Sequence, residues 1–273
     1  MTVRVAIAGA GGRMGQALIE ATLGADDLAL TGALDVAGSP AIGADAGAHL
    51  GRATGIRISA DVDAVAPGCD VFIDFTRPAG TLVHLAACAQ AGIAAVVGTT
   101  GFDADGKRQI AERAAAIPIV WAPNMSVGIT VLAELVEEAA RRLGPAFDIE
   151  ILEMHHRHKV DAPSGTALRL GEAAAAGAGA GVALDAHAVY AREGVTGERK
   201  PGTIGFATLR GGDVVGDHMV IFAGAGERLE LAHRATSRQN FAAGALRAAR
   251  FVAQCRAGGR HGLFDMSDVL GFR

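Results

Sequence analysis

The chain opens on Val3–Ala8, an apolar run of strand length, and passes at once into Gly9-Ala10-Gly11-Gly12-Arg13-Met14-Gly15. Met14, Leu18 and Ala21 then recur at helical spacing. A strand that runs through a glycine-rich turn into a helix is the first unit of a dinucleotide-binding fold. The glycines remove Cβ atoms where the backbone must approach a pyrophosphate, and the helix N-terminus offers its free amides to the phosphate. The spacing is G-x-x-G-x-x-G (Gly9, Gly12, Gly15) rather than strict G-x-G-x-x-G. Alone, it also fits a plain tight βα turn. The second strand, Leu28–Leu34, ends at Asp35, where a carboxylate can accept both ribose hydroxyls of an adenosine. The alternative for Asp35 is a solvated turn carboxylate. Val36 brings no positive charge to a 2′-phosphate, whereas Arg13 could, so NADH is the preferred cofactor and NADPH stays open.

The alternation continues. Asp70–Thr76 reads as a strand ending in a polar loop, and Arg77-Pro78 starts a helix with Leu82, Leu85, Ala86 and Ala89 on one face. Ala94–Val97 leads into Gly98-Thr99-Thr100-Gly101, and Ile117–Trp121 into Ala122-Pro123-Asn124-Met125. Ligands of open parallel sheets bind at this carboxyl edge. The pattern predicts an α/β fold with a Rossmann-type, doubly wound parallel sheet. Ser126 suits an N-cap, and Leu132, Leu135, Val136 and Ala139 form the apolar stripe of the next helix. Glu137→Arg141 and Glu138→Arg142 pair on its outer face. This helix carries the chain towards a second domain. There Phe147, Ile149 and Ile151 alternate with Asp148 and Glu150, as in a strand with one wet face. Ala173–Gly181 is expected to be a frayed helix end and loop. Thr203–Leu209, Met219–Ala223 and Leu229–Ala232 read as strands with no long helix between them, so the second domain is expected to be α+β with a mixed or antiparallel sheet. A final helix is expected at about Asn240–Cys255.

Composition narrows the function. The 273 residues suffice for two ordinary domains. A net charge of −4 and 4% aromatic residues argue against nucleic acid as a partner. The least polar stretch, Leu85–Thr100, is broken by Gln90 and Gly92, so no membrane segment is expected. The chain enters a strand at Val3, and a leader is not expected either. Cys69, Cys88 and Cys255 are odd in number and lack CxxC spacing, which suits reduced thiols in the cytoplasm.

The chemistry concentrates at His155-His156-Arg157-His158-Lys159, followed by Pro163-Ser164-Gly165-Thr166 opening a helix. Cations leading into a helix N-terminus make a site for an anionic substrate. Histidines supply groups that titrate near neutral pH. His155, His156, His158 and Asp161 could ligate zinc, but two cations stand among them and no cysteine or acidic cluster accompanies them, so no metal is expected. In an extended segment His156 and His158 share one face, with His155 and Arg157 on the other. A polar strand end at the surface is the remaining alternative.

His155–Ala167 resembles the signature of the 4-hydroxy-tetrahydrodipicolinate reductase family, NAD(P)H enzymes of diaminopimelate and lysine biosynthesis. The resemblance spans essentially the whole chain, through Val5–Gly15, Phe72–Thr76, Gly98–Phe102, Asn124–Gly128, Arg192–Gly194, Thr196–Arg199 and Gly202–Phe206. It implies His155 as acid/base and Lys159 as proton donor. It implies that His156, Lys159, Ser164, Gly165 and Thr166 hold the substrate carboxylates. The cofactor would be held by Gly9, Ala10, Gly11, Gly12, Arg13, Met14, Asp35, Gly98, Thr99, Thr100, Ala122, Pro123, Asn124 and Met125. It further implies a dinucleotide-binding domain of 1–126 with 236–273, and a substrate-binding and oligomerisation domain of 127–235 in a homotetramer. Val36 stands where members using both cofactors can carry arginine, and Met125 where an aromatic residue can lie beside the nicotinamide. Two other classes share the first domain: a Rossmann dehydrogenase of another substrate, and a nicotinamide-binding sensor without turnover.

Overall fold

Apolar runs that alternate with helices become strands covered on both faces: β4 (Val71–Asp74) and β5 (Ala94–Val97) are buried at every position. The structure, a computed structural model, describes residues 2–179 and 183–273. The chain begins with β1 (Val3–Ala8), α1 (Arg13–Leu23), β2 (Leu28–Leu34), β3 (Ile58–Ser59) and α2 (Val62–Val65), which precede β4. Then come α3 (Pro78–Ala91), β5, α4 (Ala104–Ala114), β6 (Pro118–Trp121) and α5 (Val127–Leu143). The next elements are β7 (Asp148–His155), α6 (Gly165–Ala178), α7 (Leu184–His187), β8 (Ala188–Val189), β9 (Ile204–Arg210), β10 (Gly216–Ala223) and β11 (Arg228–Ala235). The chain closes with α8 (Gln239–Ala257), β12 (Gly262–Phe264) and α9 (Met266–Leu270). Two compact units result, Met1–Val127 with Arg238–Arg273, and Gly128–Ser237.

The first unit holds a seven-stranded sheet in the order β12-β6-β5-β4-β1-β2-β3. All its pairings are parallel. Successive strand residues divide between two cores, as the twofold pleat requires. Val5, Ile7, Ile73 and Val96 face α1 and α8, while Ala6, Phe72, Ala95 and Val97 face α3 and α4. This is the doubly wound sheet expected from the alternation. The strand order reverses about β1, which has β2 on one side and β4 on the other. The carboxyl ends of β1, β2, β4, β5 and β6 therefore share one edge. Helix α8 is tied to this unit by Arg250 on Asp27 at 2.6 Å and by Arg256 on the Gly92 carbonyl at 2.7 Å. All three cysteines are free and buried, and burial pushes the Cys69 thiol up to about 12.

The second unit holds a mixed sheet, β11-β10-β7-β9-β8, in which β10 runs antiparallel to β7 and β11 while β9 runs parallel to β7 and β8. One face packs on α5 and α6: Ile149, Ile151, Phe206, Val220 and Phe222 meet Leu132, Val136, Leu170 and Ala174. Helix α6 is longer and better packed than its composition suggests. Ala173, Ala174 and Ala175 are buried. A Cβ at Gly177 would lie 2.1 Å from the Glu137 carbonyl oxygen, so small residues here permit close helix approach rather than fraying. The last part of that expectation, Ala180 and Gly181, lies outside the described residues. The paired charges on α5 form as spaced, Glu137 with Arg141 at 2.8 Å and Glu138 with Arg142 at 2.7 Å. No helix among the described residues is long and apolar enough to cross a membrane.

Candidate active site

The carboxyl edge of the first unit is shaped by missing side chains. Gly9 adopts φ +71°, open to glycine at little cost, and accepts the Gly12 N–H at 2.9 Å. A Cβ on Gly15 would stand 2.0 Å from the Gly9 carbonyl oxygen, so only glycine lets α1 start this close to its own turn. Helix α1 has no side-chain cap and no acidic residue in its first turn, which leaves its opening amides to an outside acceptor. Asp35 follows β2 and receives the Gly11 N–H and the Val36 N–H, both at 2.8 Å. These bonds pin its carboxylate over the glycine turn and leave lone pairs for further donors. A Cβ at Gly11 would come within 2.6 Å of that carboxylate. The same holds after β5, where a Cβ on Gly98 would lie 2.1 Å from the Phe75 ring. Bare backbone, a capless helix and a pinned carboxylate fit a dinucleotide.

A buried carboxylate supports the middle of this edge. Asp74, 2% exposed at the end of β4, accepts the Thr76 N–H at 2.8 Å and its hydroxyl at 2.7 Å, and bonds His84 Nδ1 at 2.6 Å. Thr81 donates to Thr99 Oγ1 at 2.9 Å, and Thr99 reaches Asp74 at 3.4 Å. The Thr99 hydroxyl is thus engaged inside the protein, while Thr100 is exposed. Ala122 and Met125 are buried, and Met125 packs among α8 residues, so any role at a ligand falls to its backbone. Pro123 is exposed, and Asn124 accepts the Ser126 N–H at 2.8 Å just before α5.

The second unit places the histidine segment at the end of β7. Alternation buries Ile149, Ile151, Glu153 and His155 on one face. The strand ends at His155, whose carbonyl still accepts the Gly211 N–H from the neighbouring chain segment at 3.0 Å, and beyond it the Lys159 N–H bonds the His156 carbonyl at 3.1 Å. His156–His158 therefore form a turn, and the twofold alternation expected for them does not extend past His155. Arg157 and His158 are exposed on that turn, and the His156 and His158 rings lie 6.2 Å apart. Among the described residues no three His, Cys, Asp or Glu side chains are gathered to hold a metal.

His155 is 8% exposed and its Nδ1 lies 2.6 Å from Glu153 Oε2. Burial lowers the His155 pKa; the Glu153 carboxylate opposes that, and the charges of Lys159 and Arg210 add to it. Lys159 pairs with Asp161 at 2.8 Å. Ser164 caps α6 by accepting the Ala167 N–H at 3.2 Å, and its hydroxyl lies 3.3 Å from His218 Nε2. Gly165 is exposed and Thr166 half-buried in the opening turn of α6. Burial holds His218 at about 3, so it is neutral at ordinary pH. Glu153, Arg210 and His218 are three groups the sequence reading missed. For Glu153 a signal existed, a carboxylate in phase with Ile149 and Ile151 on a buried face. Arg210 and His218 carry none, because they arrive from β9 and β10.

A doubly wound parallel sheet with a bare glycine edge, in a chain whose second unit carries buried histidines and a lysine, is the architecture of a two-domain oxidoreductase of the Rossmann type. Models of dihydrodipicolinate reductase match the chain twice, the N-terminal one over residues 3–125 and the C-terminal one over 128–270. The 4-hydroxy-tetrahydrodipicolinate reductase of Cupriavidus necator is 58% identical over 271 residues, covering 99% of this chain and 100% of that one. That of Dechloromonas aromatica is 58% identical over 270 residues, covering 99% and 98%. The solved dipicolinate-bound dihydrodipicolinate reductase of Paenisporosarcina sp. TG-14 shares the fold with a TM-score of 0.73, at 24% identity over 97% of this chain and 98% of that one. The chain belongs to the dihydrodipicolinate reductase family.

Proposed function

We propose that the His155–Thr166 segment binds and protonates the substrate while the glycine edge holds NADH. As a family member the chain is a 4-hydroxy-tetrahydrodipicolinate reductase. It reduces that cyclic imine dicarboxylate, with loss of water, to tetrahydrodipicolinate in diaminopimelate and lysine biosynthesis. The observation that carries the residue roles is the junction of β7 and α6. There a buried histidine, a lysine and the Ser164-capped N-terminus of α6 lie along one segment of chain.

A bound nicotinamide supplies the hydride. The chain's own residues supply placement, charge and protons. Lys159 offers a fixed positive charge to a substrate carboxylate, and the hydroxyl of Thr166 and the backbone amides of Gly165 and Thr166 offer donors to it. His156 adds a ring donor. Hydride addition sends electron density towards the ring nitrogen, and a proton has to arrive there. His155 and Lys159 bracket that need, the imidazole able to hold or release a proton at a ring nitrogen and the ammonium able to donate one. Gly9 to Met14 with Asp35 take the adenosine and pyrophosphate, and Gly98–Thr100 with 122–125 take the nicotinamide end. Val36 is 72% exposed beside Asp35 and offers no cation to a 2′-phosphate, which favours NADH. We extend the family pattern to a homotetramer in the cytoplasm.

The test is a coupled assay. Pyruvate and aspartate semialdehyde are converted by the matching synthase, this protein is added, and loss of reduced-nicotinamide absorbance is followed with NADH and NADPH in parallel. Synthase-dependent oxidation, faster with NADH, is expected. Faster oxidation with NADPH overturns the cofactor preference, and none at all overturns the residue roles together with it.

A further inference from the structure

Glu153 is the most heavily bonded carboxylate beside the candidate catalytic groups. It is 1% exposed, two residues before His155 and on the same face of β7. Arg210 grips it with both terminal nitrogens, Nη1 on Oε2 at 2.8 Å and Nη2 on Oε1 at 2.9 Å. The Ser164 amide donates to Oε1 at 3.1 Å, and His155 Nδ1 lies 2.6 Å from Oε2. Burial would raise this carboxyl, but the bonds from Arg210, His155 and the Ser164 amide outweigh it and hold the group below the usual carboxylate range. An ionised carboxylate only accepts hydrogen bonds, so the proton at this contact sits on His155 Nδ1. Nε2 is left as the nitrogen free to exchange protons.

Space is kept on the Nε2 side. A Cβ on Gly216 would lie 3.0 Å from His155 Nε2 and 3.5 Å from His218 Cε1. The His218 ring stands edge-on to His155, centroids 5.0 Å apart. Arg210 also donates from Nη2 to the Asp161 carbonyl at 2.6 Å, tying the Glu153 clamp to the loop that carries Lys159. The charged or titratable groups facing His155 are Glu153 on its own strand, Lys159 on the following loop, Arg210 at the end of β9 and His218 on β10.

We propose that Glu153, clamped by Arg210, is the positioning residue of this site: it locks His155 as the Nδ1–H tautomer and presents Nε2 as the nitrogen that transfers the proton. Protonated at both nitrogens, His155 gives up the Nε2 proton and becomes the neutral Nδ1–H imidazole; the reverse step returns a proton to Nε2. This rests on His155 being the acid/base of the reaction. Neither Glu153 nor Arg210 needs to touch substrate.

Two measurements test it. Neutron diffraction from deuterium-exchanged crystals of the wild-type chain reads the ring directly, above the His155 midpoint. Deuterium on Nδ1, shared towards Glu153, is expected; deuterium on Nε2 alone overturns the proposal. The second is the pH dependence of kcat/KM. Glu153→Gln removes the charge that favours the imidazolium, so the His155 limb should move down by about one pH unit or more. In that variant kcat should fall on the order of a hundredfold, with the substrate KM changed much less. Arg210→Lys, which keeps the charge and loses the paired grip, should show a smaller fall in the same direction. It serves as the kinetic test if the glutamine variant does not fold. An unmoved limb with near-wild-type kcat overturns the proposal. His155→Ala separates the two readings: full turnover there removes the acid/base role itself, whereas an inactive His155→Ala beside an unmoved Glu153→Gln profile removes only the positioning role.

Discussion

The glycine edge of the first unit and the β7–α6 junction of the second solve opposite problems. At the edge, the proposed cofactor site is made by what is left out. At Gly9, Gly11, Gly15 and Gly98 an added Cβ would meet neighbouring protein atoms at 3.2, 2.6, 2.0 and 2.1 Å. At the junction it comes from what is packed in, with one buried glutamate holding an arginine, a histidine and a serine amide. Both regions still keep a buried carboxylate behind the polar loop. Asp74 organises threonine hydroxyls and His84, and Glu153 organises cations. The lesson is one of tolerance. A backbone site fails when volume is added, and a side-chain site fails when charge is removed.

That contrast can be broken most directly at Lys159. Lys159→Ala should lower turnover on the order of 10²–10³-fold while NADH affinity, read by fluorescence titration, stays within a few-fold. Turnover near wild type would detach Lys159 from the chemistry. On the other side, Gly15→Ala adds a Cβ 2.0 Å from a carbonyl oxygen. It should cost about 3 kcal/mol or more in urea unfolding and weaken NADH binding together. An unchanged unfolding midpoint would show that the turn can open to admit the methyl.

Acid sharpens the comparison, because the buried histidines His155 and His218 lie in the second unit. His218 has a folded value of about 3 against an ordinary 6.5. Between those values the unfolded chain binds a proton that the folded chain excludes. Stability is therefore full above pH 6.5 and falls as pH drops towards 3, with a slope approaching about 1.4 kcal/mol per pH unit. Glu153, held low when folded, adds loss in the same direction. Urea midpoints between pH 7 and 4 measure this, and His218→Asn should flatten the curve. The smallest change is expected at the exposed Val36. Val36→Arg should raise NADPH affinity roughly tenfold, about 1.4 kcal/mol, and leave NADH affinity alone. An unchanged NADPH affinity would place the 2′-phosphate elsewhere.

Much of the fold was legible because its signals are local. Val3–Ala8, Leu28–Leu34 and Ala94–Val97 are strands over the expected residues, since an apolar run closed by a glycine or an acid marks its own ends. The two-residue β3 and β8 were not visible, because two residues carry no period. Strand β12 was missed for a related reason: Gly262–Phe264 becomes a strand only by lying parallel to β6. Within the expected frayed end and loop of Ala173–Gly181, residues 173–178 are ordered helix, so small residues there were misjudged as weak ones. Against α5 their smallness is what lets α6 pack.

The residue types at the site were likewise readable. His155, Lys159 and Ser164 stand within ten positions, and the glycines carry their spacing on their face. The sequence by itself determined the alternation of strand and helix, the bare turn after β1, the cationic segment before α6 and the family they mark. Only the tertiary structure decided which groups support them. It brought Arg210 and His218 from β9 and β10 onto Glu153, His155 and Ser164, and His84 from α3 onto Asp74. The reason is physical. A motif is written by covalent neighbours, whereas a buried charge must find its partners across the sheet, at sequence distances that no local pattern records.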